Sequence, residues 1–404
     1  MKLPVYLDYN ATTPCDPRVV TTMLPYFTEI FGNAASRSHA FGWAAEEAIT
    51  HAREQVAALI GAETKEIIFT SGATEAINLA IKGVYETYTT KGNHLITVAT
   101  EHKAVLDTCK HLEKQGAQVT YLPTDPEGFI DLAQLEAAIT PQTILITVMY
   151  ANNETGLIQP VKQISDIARR HGVLFMTDAS QAAGKIPVDV NADGIDLLAF
   201  SSHKMYGPKG VGALYVRRKS PRVKITAQLD GGGHENGMRS GTLNVSGIAG
   251  FGMACELCRT EMPAEAARLA GLRDRLEQAL LQLEATAVNG STAHRLPHVS
   301  NLSFKYVESE SLLMGFHKSI AVSSGSACTS ASMAPSHVLK AMGLSDELAH
   351  ASIRFGLGRF TTEAEIDYAI TTITAAILQH RAVSPLWEMY KAGVDLDAIP
   401  RNRH

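Results

Sequence analysis

The sequence predicts an α/β protein: a largely parallel central sheet covered by helices on both faces, joined to a smaller α+β region. Three observations carry this prediction. Short, almost wholly apolar runs alternate with helical stretches from about Ala44 to Val216. Polar residues gather just past the C-terminal ends of several apolar runs. Beyond Thr242 the pattern changes to a long charged amphipathic helix followed by short strands. Near-continuous apolar strands separated by helices are what a parallel sheet, buried on both faces, requires.

Taken in order, Ala44–Ile60 is rich in Ala and Glu and is closed by Gly61, which predicts a helix. Glu66–Thr70 is a short strand running into Ser71-Gly72-Ala73, and Thr74–Tyr85 is the helix that follows. Strands are expected at His94–Val98, Gln118–Leu122 and Thr143–Met149, with helices at Lys103–Gln115 and Val161–His171. Val173–Thr177, Asp196–Phe200 and Gly212–Val216 complete the strand set. Further on, Ser246–Cys258 reads as a small-residue helix. Ala264–Glu284 reads as a separate one, with Leu269, Leu272, Leu276, Leu280 and Leu283 on one face. A last helix is expected near Thr362–His380.

The chain has 404 residues, and single cores stop growing beyond roughly 250–300 residues, so two domains are expected. They divide as residues 15–258 and residues 1–14 with 259–404. A composition of 45% hydrophobic and 19% charged residues is that of a soluble globular protein. A net charge of −5 gives no bulk attraction to nucleic acid or membrane. No apolar run approaches the ~20 residues that span a bilayer. Five cysteines, Cys15, Cys109, Cys255, Cys258 and Cys328, do not make a disulfide framework. With no signal-like apolar segment at the start, the cytoplasm is the expected compartment.

Three strand-end clusters could carry chemistry. In Ser71-Gly72-Ala73-Thr74-Glu75, small residues between strand and helix bring backbone N–H groups to a helix N-terminus, where an anion binds. The plainer reading is a helix cap. Asp178, after the strand at Val173, is placed for a ligand crevice or for capping the next helix. Ser201-Ser202-His203-Lys204 follows the next strand and precedes the turn-rich Gly207-Pro208-Lys209-Gly210. A lysine that forms a Schiff base, an acid for a pyridinium nitrogen and a phosphate site together define how proteins hold pyridoxal phosphate. Lys204 then serves also as general base.

With those residues in view, the sequence resembles the class V branch of fold-type I pyridoxal-phosphate enzymes, and within it the cysteine desulfurases of iron–sulfur cluster assembly. The motifs that carry the resemblance are Tyr6–Pro14, Ser71–Glu75, Thr100–Ala104, Asn152–Gly156, Ser201–Lys204, Met238–Thr242, Ser323–Cys328 and Ile353–Phe355, in that order. The resemblance implies that Lys204 holds the cofactor, Asp178 pairs with its ring nitrogen and Gln181 with its phenolic oxygen. It implies that His102 stacks on the ring and moves protons. Ala73, Thr74, Ser201, Ser202 and His203 would surround the phosphate. Thr242 would reach the phosphate of a second subunit, implying a homodimer. Asn153 and Arg354 would face the substrate, with Arg354 on its α-carboxylate.

The same resemblance implies that Cys328 takes sulfur from L-cysteine as a persulfide, leaving L-alanine, for cluster assembly and tRNA thiolation. Cys328 would also share an iron–sulfur cluster transiently with a scaffold partner. Its neighbours, Ser323 to Ser332, are small and polar, which fits a loop. The tail from Ser384 to Leu396, with Trp387, Met389 and Tyr390, is where the scaffold protein would dock. The basic run Arg217, Arg218, Lys219, Arg222 and Lys224 would receive sulfur carriers or acidic regulators. Cys255 and Cys258 have C-x-x-C spacing without a second pair, so core packing is the expected role. The competing readings are another class V enzyme, such as a selenocysteine lyase, or a non-catalytic homologue kept for scaffold binding.

Overall fold

The computed structural model describes residues 1–307, 309–324 and 335–394. Its strands are β1 (Val5–Tyr6), β2 (Ile67–Thr70), β3 (His94–Val98), β4 (Gln118–Leu122), β5 (Thr143–Thr147), β6 (Leu174–Asp178), β7 (Leu197–Ser201), β8 (Gly212–Val216), β9 (Thr286–Val288), β10 (Val299–Phe304), β11 (Ile320–Ala321), β12 (Ser323–Ser324) and β13 (Ser352–Gly356). The helices are α1 (Pro17–Met23), α2 (Pro25–Thr28), α3 (Ala40–Leu59), α4 (Ala73–Tyr88), α5 (Lys103–Glu113), α6 (Leu132–Ala138), α7 (Val161–Arg170), α8 (Val245–Leu280), α9 (Ser309–Phe316), α10 (His337–Ala341), α11 (Asp346–His350), α12 (Glu363–Ala382) and α13 (Pro385–Lys391).

Seven strands form the main sheet in the order β2-β8-β7-β6-β5-β3-β4. The pairs β3/β4, β3/β5, β5/β6 and β6/β7 are parallel, and only β8 runs against its neighbours β2 and β7. The expected largely parallel sheet is therefore present. It is buried on both faces because every residue of β2, β3, β5, β6, β7 and β8 is buried. Ile96, Ile146, Phe175 and Phe200 point to one side, where they meet α3 and α8 residues such as Val56 and Phe251. Leu95, Leu145, Met176 and Leu197 point to the other, against Ile77 and Leu112 of α4 and α5. Each such side chain contributes roughly 1.5–3 kcal/mol on burial.

A four-stranded antiparallel sheet, β12-β13-β10-β9, lies apart from the first, and β1 pairs with β11. Its core unites Val5 and Leu7 with Leu269, Leu272 and Leu276 of α8 and with Ile366 and Ile373 of α12. The two helices expected at Ser246–Cys258 and Ala264–Glu284 are one, α8, with Pro263 inside it. Pro263 and Ala264 are exposed, as are Arg259 and Thr260 one turn earlier. The carbonyl that loses its donor to the proline ring can thus be solvated. One half of α8 packs on the main sheet and the other on the second core, and packing on both sides keeps the helix continuous. Residue 258, the expected division between domains, falls within it.

Candidate active site

The sheet delivers its polar strand ends to one cavity of about 580 Å³. Lys204, His102, Asp178, Gln181, Asn153, Arg354, Ala73, Thr74, Ser201 and His203 all line it. β6 ends on Asp178, β7 ends on Ser201 and leads into the single turn that bears Lys204, and α4 begins beside both. This is the crevice at the carboxyl ends of parallel strands where open α/β sheets bind ligands.

The anion-binding end is built by close backbone approach. Gly72 has φ 154° and no side chain to cap α4, so the first N–H groups of the helix stay open to a ligand. A Cβ on Gly212 would stand 2.7 Å from the Gly72 Cα, so the strand can pass the turn only as glycine. His203 stands nearby with Nδ1 3.1 Å from the Thr12 hydroxyl. Burial, with help from Lys204 and Lys209, pushes its pKa down to about 4, so the ring is neutral at physiological pH.

At the other end, the Asp178 carboxylate accepts from the Ser180 N–H at 2.9 Å and the Ser180 hydroxyl at 2.6 Å. His102 caps α5 by accepting the Ala104 N–H on Nδ1 at 3.1 Å, which leaves the proton on Nε2. Burial lowers its pKa despite the nearby Asp178 carboxylate. The Lys204 Nζ donates to the carbonyls of Asn10 at 2.5 Å and Ala11 at 2.8 Å. Gln181 Nε2 donates to the same Asn10 carbonyl at 3.0 Å.

Arg354 arrives from β13 of the second sheet. Its Nη1 donates to the Asn153 carbonyl at 2.9 Å and its Nη2 to Asp8 Oδ1 at 2.8 Å, with the side chain 3% exposed. Arg354 Nε, Asn153 Oδ1 and Asn10 Oδ1 are buried without a hydrogen-bond partner among the described residues, and all three side chains line the cavity. Buried polar groups are normally paired, so this wall is chemically suited to a small ligand that carries a carboxylate and hydrogen-bond donors.

Two expected cofactor residues are not among those lining the cavity. Ser202 is fully buried, and Thr242 is exposed at the end of the glycine-rich segment 231–242 that precedes α8. Cys328 lies outside the described residues. The expected basic run is shorter than its sequence implied. Arg217 is buried, where it pairs with Asp196 at 3.2 Å and donates to the carbonyls of Val190 and Ile195. Its position at the end of β8 turns it inward to satisfy those groups. Cys255 and Cys258 pack in the core on α8, and no metal-binding group occurs among the described residues. In the tail, Trp387 packs at a tilt against Tyr306 and Tyr390 with Arg381 over its ring, while Leu386 and Met389 remain exposed. Asn10, Glu75 and Lys209 also line the cavity without having been assigned a role. Asn10 and Glu75 stand within the quoted motifs Tyr6–Pro14 and Ser71–Glu75, which was the available signal.

The family model of class V aminotransferases matches residues 5–369, and the chain belongs to that family. A relative from Anaeromyxobacter dehalogenans called cysteine desulfurase IscS is 60% identical over 400 residues, covering 99% of this chain and 98% of its own. A solved NifS-like protein is 37% identical with a TM-score of 0.87, covering 93% of this chain and 100% of that one. The structure described as SspA in complex with cysteine is 38% identical with a TM-score of 0.79, covering 89% and 100%. Within the class V family, the chain therefore sits among the IscS- and NifS-like cysteine desulfurases.

Proposed function

We propose that this chain removes sulfur from L-cysteine, releases L-alanine, and carries the sulfur as a persulfide on Cys328 for iron–sulfur cluster assembly and tRNA thiolation. The observation that carries the reading is the meeting of four features in one cavity: the Lys204 amine, the Asp178 carboxylate, the uncapped start of α4 and the partly unsatisfied Arg354. That donor set fits pyridoxal phosphate. Lys204 would bond its aldehyde carbon, Asp178 its ring nitrogen and Gln181 its phenolic oxygen. His102 would cover a ring face, and Ala73, Thr74, Ser201 and His203 would hold the phosphate, with buried Ser202 alongside them. When bound, the group supplies an electron sink for charge at the substrate Cα.

The chain's own residues do the rest. Arg354 and Asn153 hold the substrate carboxylate and orient the Cα–H bond toward Lys204. Lys204 Nζ, now held by two backbone carbonyls, takes the Cα proton once released and returns it to Cα as alanine forms. His102, neutral because buried and carrying its proton on Nε2, gives that proton up first and regains one there from a thiol. The Cys328 sulfur bonds the substrate sulfur as the substrate C–S bond breaks, and the proton Cys328 gives up ends on the alanine methyl group.

A homodimer belongs to the same proposal, with Thr242 directed to the partner's phosphate. Exposed aromatic side chains support it: Phe27, Phe31, Phe41 and Trp43 are each more than half exposed at 59%, 63%, 51% and 55%, with the Phe31 and Phe41 rings 5.2 Å apart, as interface anchors are before association. The scaffold protein docks near Leu386 and Met389, transiently sharing a cluster with Cys328. Sulfur carriers or acidic regulators meet Arg218, Lys219, Arg222 and Lys224. The division into residues 15–258 and residues 1–14 with 259–404 is supported by the separate second core that includes Val5 and Leu7. Four cysteines without disulfides among the described residues suit the cytoplasm, and no helix there is long and apolar enough to cross a membrane.

The test is mass spectrometry of the holoenzyme after cysteine addition, which should show one extra sulfur on Cys328 and equimolar alanine. Cys328→Ala should keep the bound cofactor's colour and lose sulfide release. Full turnover by that variant would refute the role of Cys328, and turnover by Lys204→Ala would refute the cavity as the site.

A further inference from the structure

We infer that Glu75 and Arg239 form a charge-cancelling, positioning pair behind the anion-binding end of α4, and that this pair sets how tightly the phosphate of the cofactor is held. The inference rests on the reading that the cavity takes a phosphorylated cofactor. Glu75 is the third residue of α4 and lines the cavity beside Ser71, Gly72, Ala73 and Thr74. Its Oε2 accepts the Ser71 N–H at 2.7 Å, so it already occupies one of the donors of the phosphate turn. Burial pushes its pKa up, but hydrogen bonds from Arg239 and Ser71 outweigh that and hold the carboxyl below its ordinary range. The group is therefore an anion at working pH.

A carboxylate is stabilised at a helix N-terminus, yet a phosphate seeking the same N–H groups meets it as a like charge. Arg239 removes that conflict. Its Nε lies 2.7 Å from Glu75 Oε1 and its Nη2 3.2 Å from Oε2, a bidentate pair with each side chain 19% exposed. Arg239 sits on the strap from Gly231 to Thr242, whose Gly231, Gly233, Gly237 and Gly241 have positive φ. The strap has a second anchor: Glu235 takes Arg53 at 2.8 and 2.7 Å and the Phe69 N–H at 2.8 Å. Holding the strap is thus shared with Glu235, whereas cancelling the Glu75 charge falls to Arg239, its ion-pair partner. Arg239 is a positioning residue for the cofactor site.

The experiment compares cofactor retention by the full-length holoenzyme after dilution and separation, read from protein-bound visible absorbance. The variants are Arg239→Gln, Glu75→Gln and the pair together, and each is also reconstituted with pyridoxal lacking the phosphate. Arg239→Gln should release the phosphorylated cofactor roughly tenfold faster or more, as expected for one uncompensated charge near another at a partly buried site. The double variant should return to within about threefold of wild type, because the net charge is restored. Uptake of phosphate-free pyridoxal should be alike in all four proteins. Should Arg239→Gln misfold, Glu75→Gln still decides, since it must release the cofactor no faster than wild type. A double variant as leaky as Arg239→Gln, or a leaky Glu75→Gln, would overturn the charge argument and leave only strap anchoring. Wild-type protein that holds pyridoxal and its phosphate equally well would overturn the cofactor reading and this inference with it.

Discussion

Replacing Arg354 by lysine keeps a positive charge opposite Asp8 while removing the planar fork. In the native structure two of its N–H groups are committed, to the Asn153 carbonyl at 2.9 Å and Asp8 Oδ1 at 2.8 Å, and Nε is buried without a partner. A lysine has three donors on one point and cannot satisfy Asp8, Asn153 and a substrate carboxylate in these directions. The expected loss is one charge-assisted hydrogen bond to the substrate, about 1.5–3 kcal/mol. That corresponds to roughly 10- to 150-fold in kcat/KM. The carboxylate is not the reacting centre, so most of the loss should fall on KM. Steady-state alanine formation from L-cysteine measures this, and binding of cysteamine, which lacks the carboxylate, is the control. A kcat/KM within about threefold of wild type, or equal losses for cysteine and cysteamine, would refute the carboxylate assignment.

Three further outcomes follow from the same geometry. The His203 pKa of about 4 is depressed by burial and by Lys204 and Lys209. Its stabilising contribution is therefore complete above an unfolded value of about 6.5 and is lost as pH falls toward 4. Thermal melting of apoprotein between those limits should be less pH-dependent in His203→Asn, and an unchanged slope would contradict the assignment. Glu277→Ala would remove the acceptor that Arg295 meets at 2.6 and 2.8 Å and the Ser300 hydroxyl at 2.6 Å in a buried site, leaving Arg295 only the more distant Asp274 at 3.9 Å. Denaturant unfolding should register a loss of roughly 3–5 kcal/mol; less than about 1 kcal/mol would show that the site re-solvates. Finally, burial raises the thiol pKa of Cys109 to about 12 and also raises those of Cys255 and Cys258. A mild alkylating reagent should spare all three in the native protein, and a chelator should not change that protection. Rapid labelling of Cys255 or Cys258 would be incompatible with their place in the core.

Much of the main sheet could be read from sequence because strands buried on both faces must be apolar throughout, and β3 and β8 have the bounds their apolar runs implied. The strand-end clusters were legible for a related reason. A polar residue directly after a buried strand emerges at the sheet's edge, and the structure gathers Thr74, Asp178, Ser201 and Lys204 around one cavity.

Other features were decided only by folding at long range. Asn10 reaches the site because the N-terminal segment crosses over Lys204, 194 positions away. Glu75 finds Arg239 across 164 positions. Arg217 looked like a surface cation until the end of β8 turned it toward the carbonyls of Val190 and Ile195. The apparent break at Pro263 disappeared because cores on either side hold both halves of α8 in one axis. Periodicity and turn chemistry act over a few residues, so by themselves they determined the elements, their order and the strand ends that carry chemistry. Which distant charges meet, and which polar atoms are left unpaired at the cavity, depends on how those elements pack. Only the tertiary structure decided that.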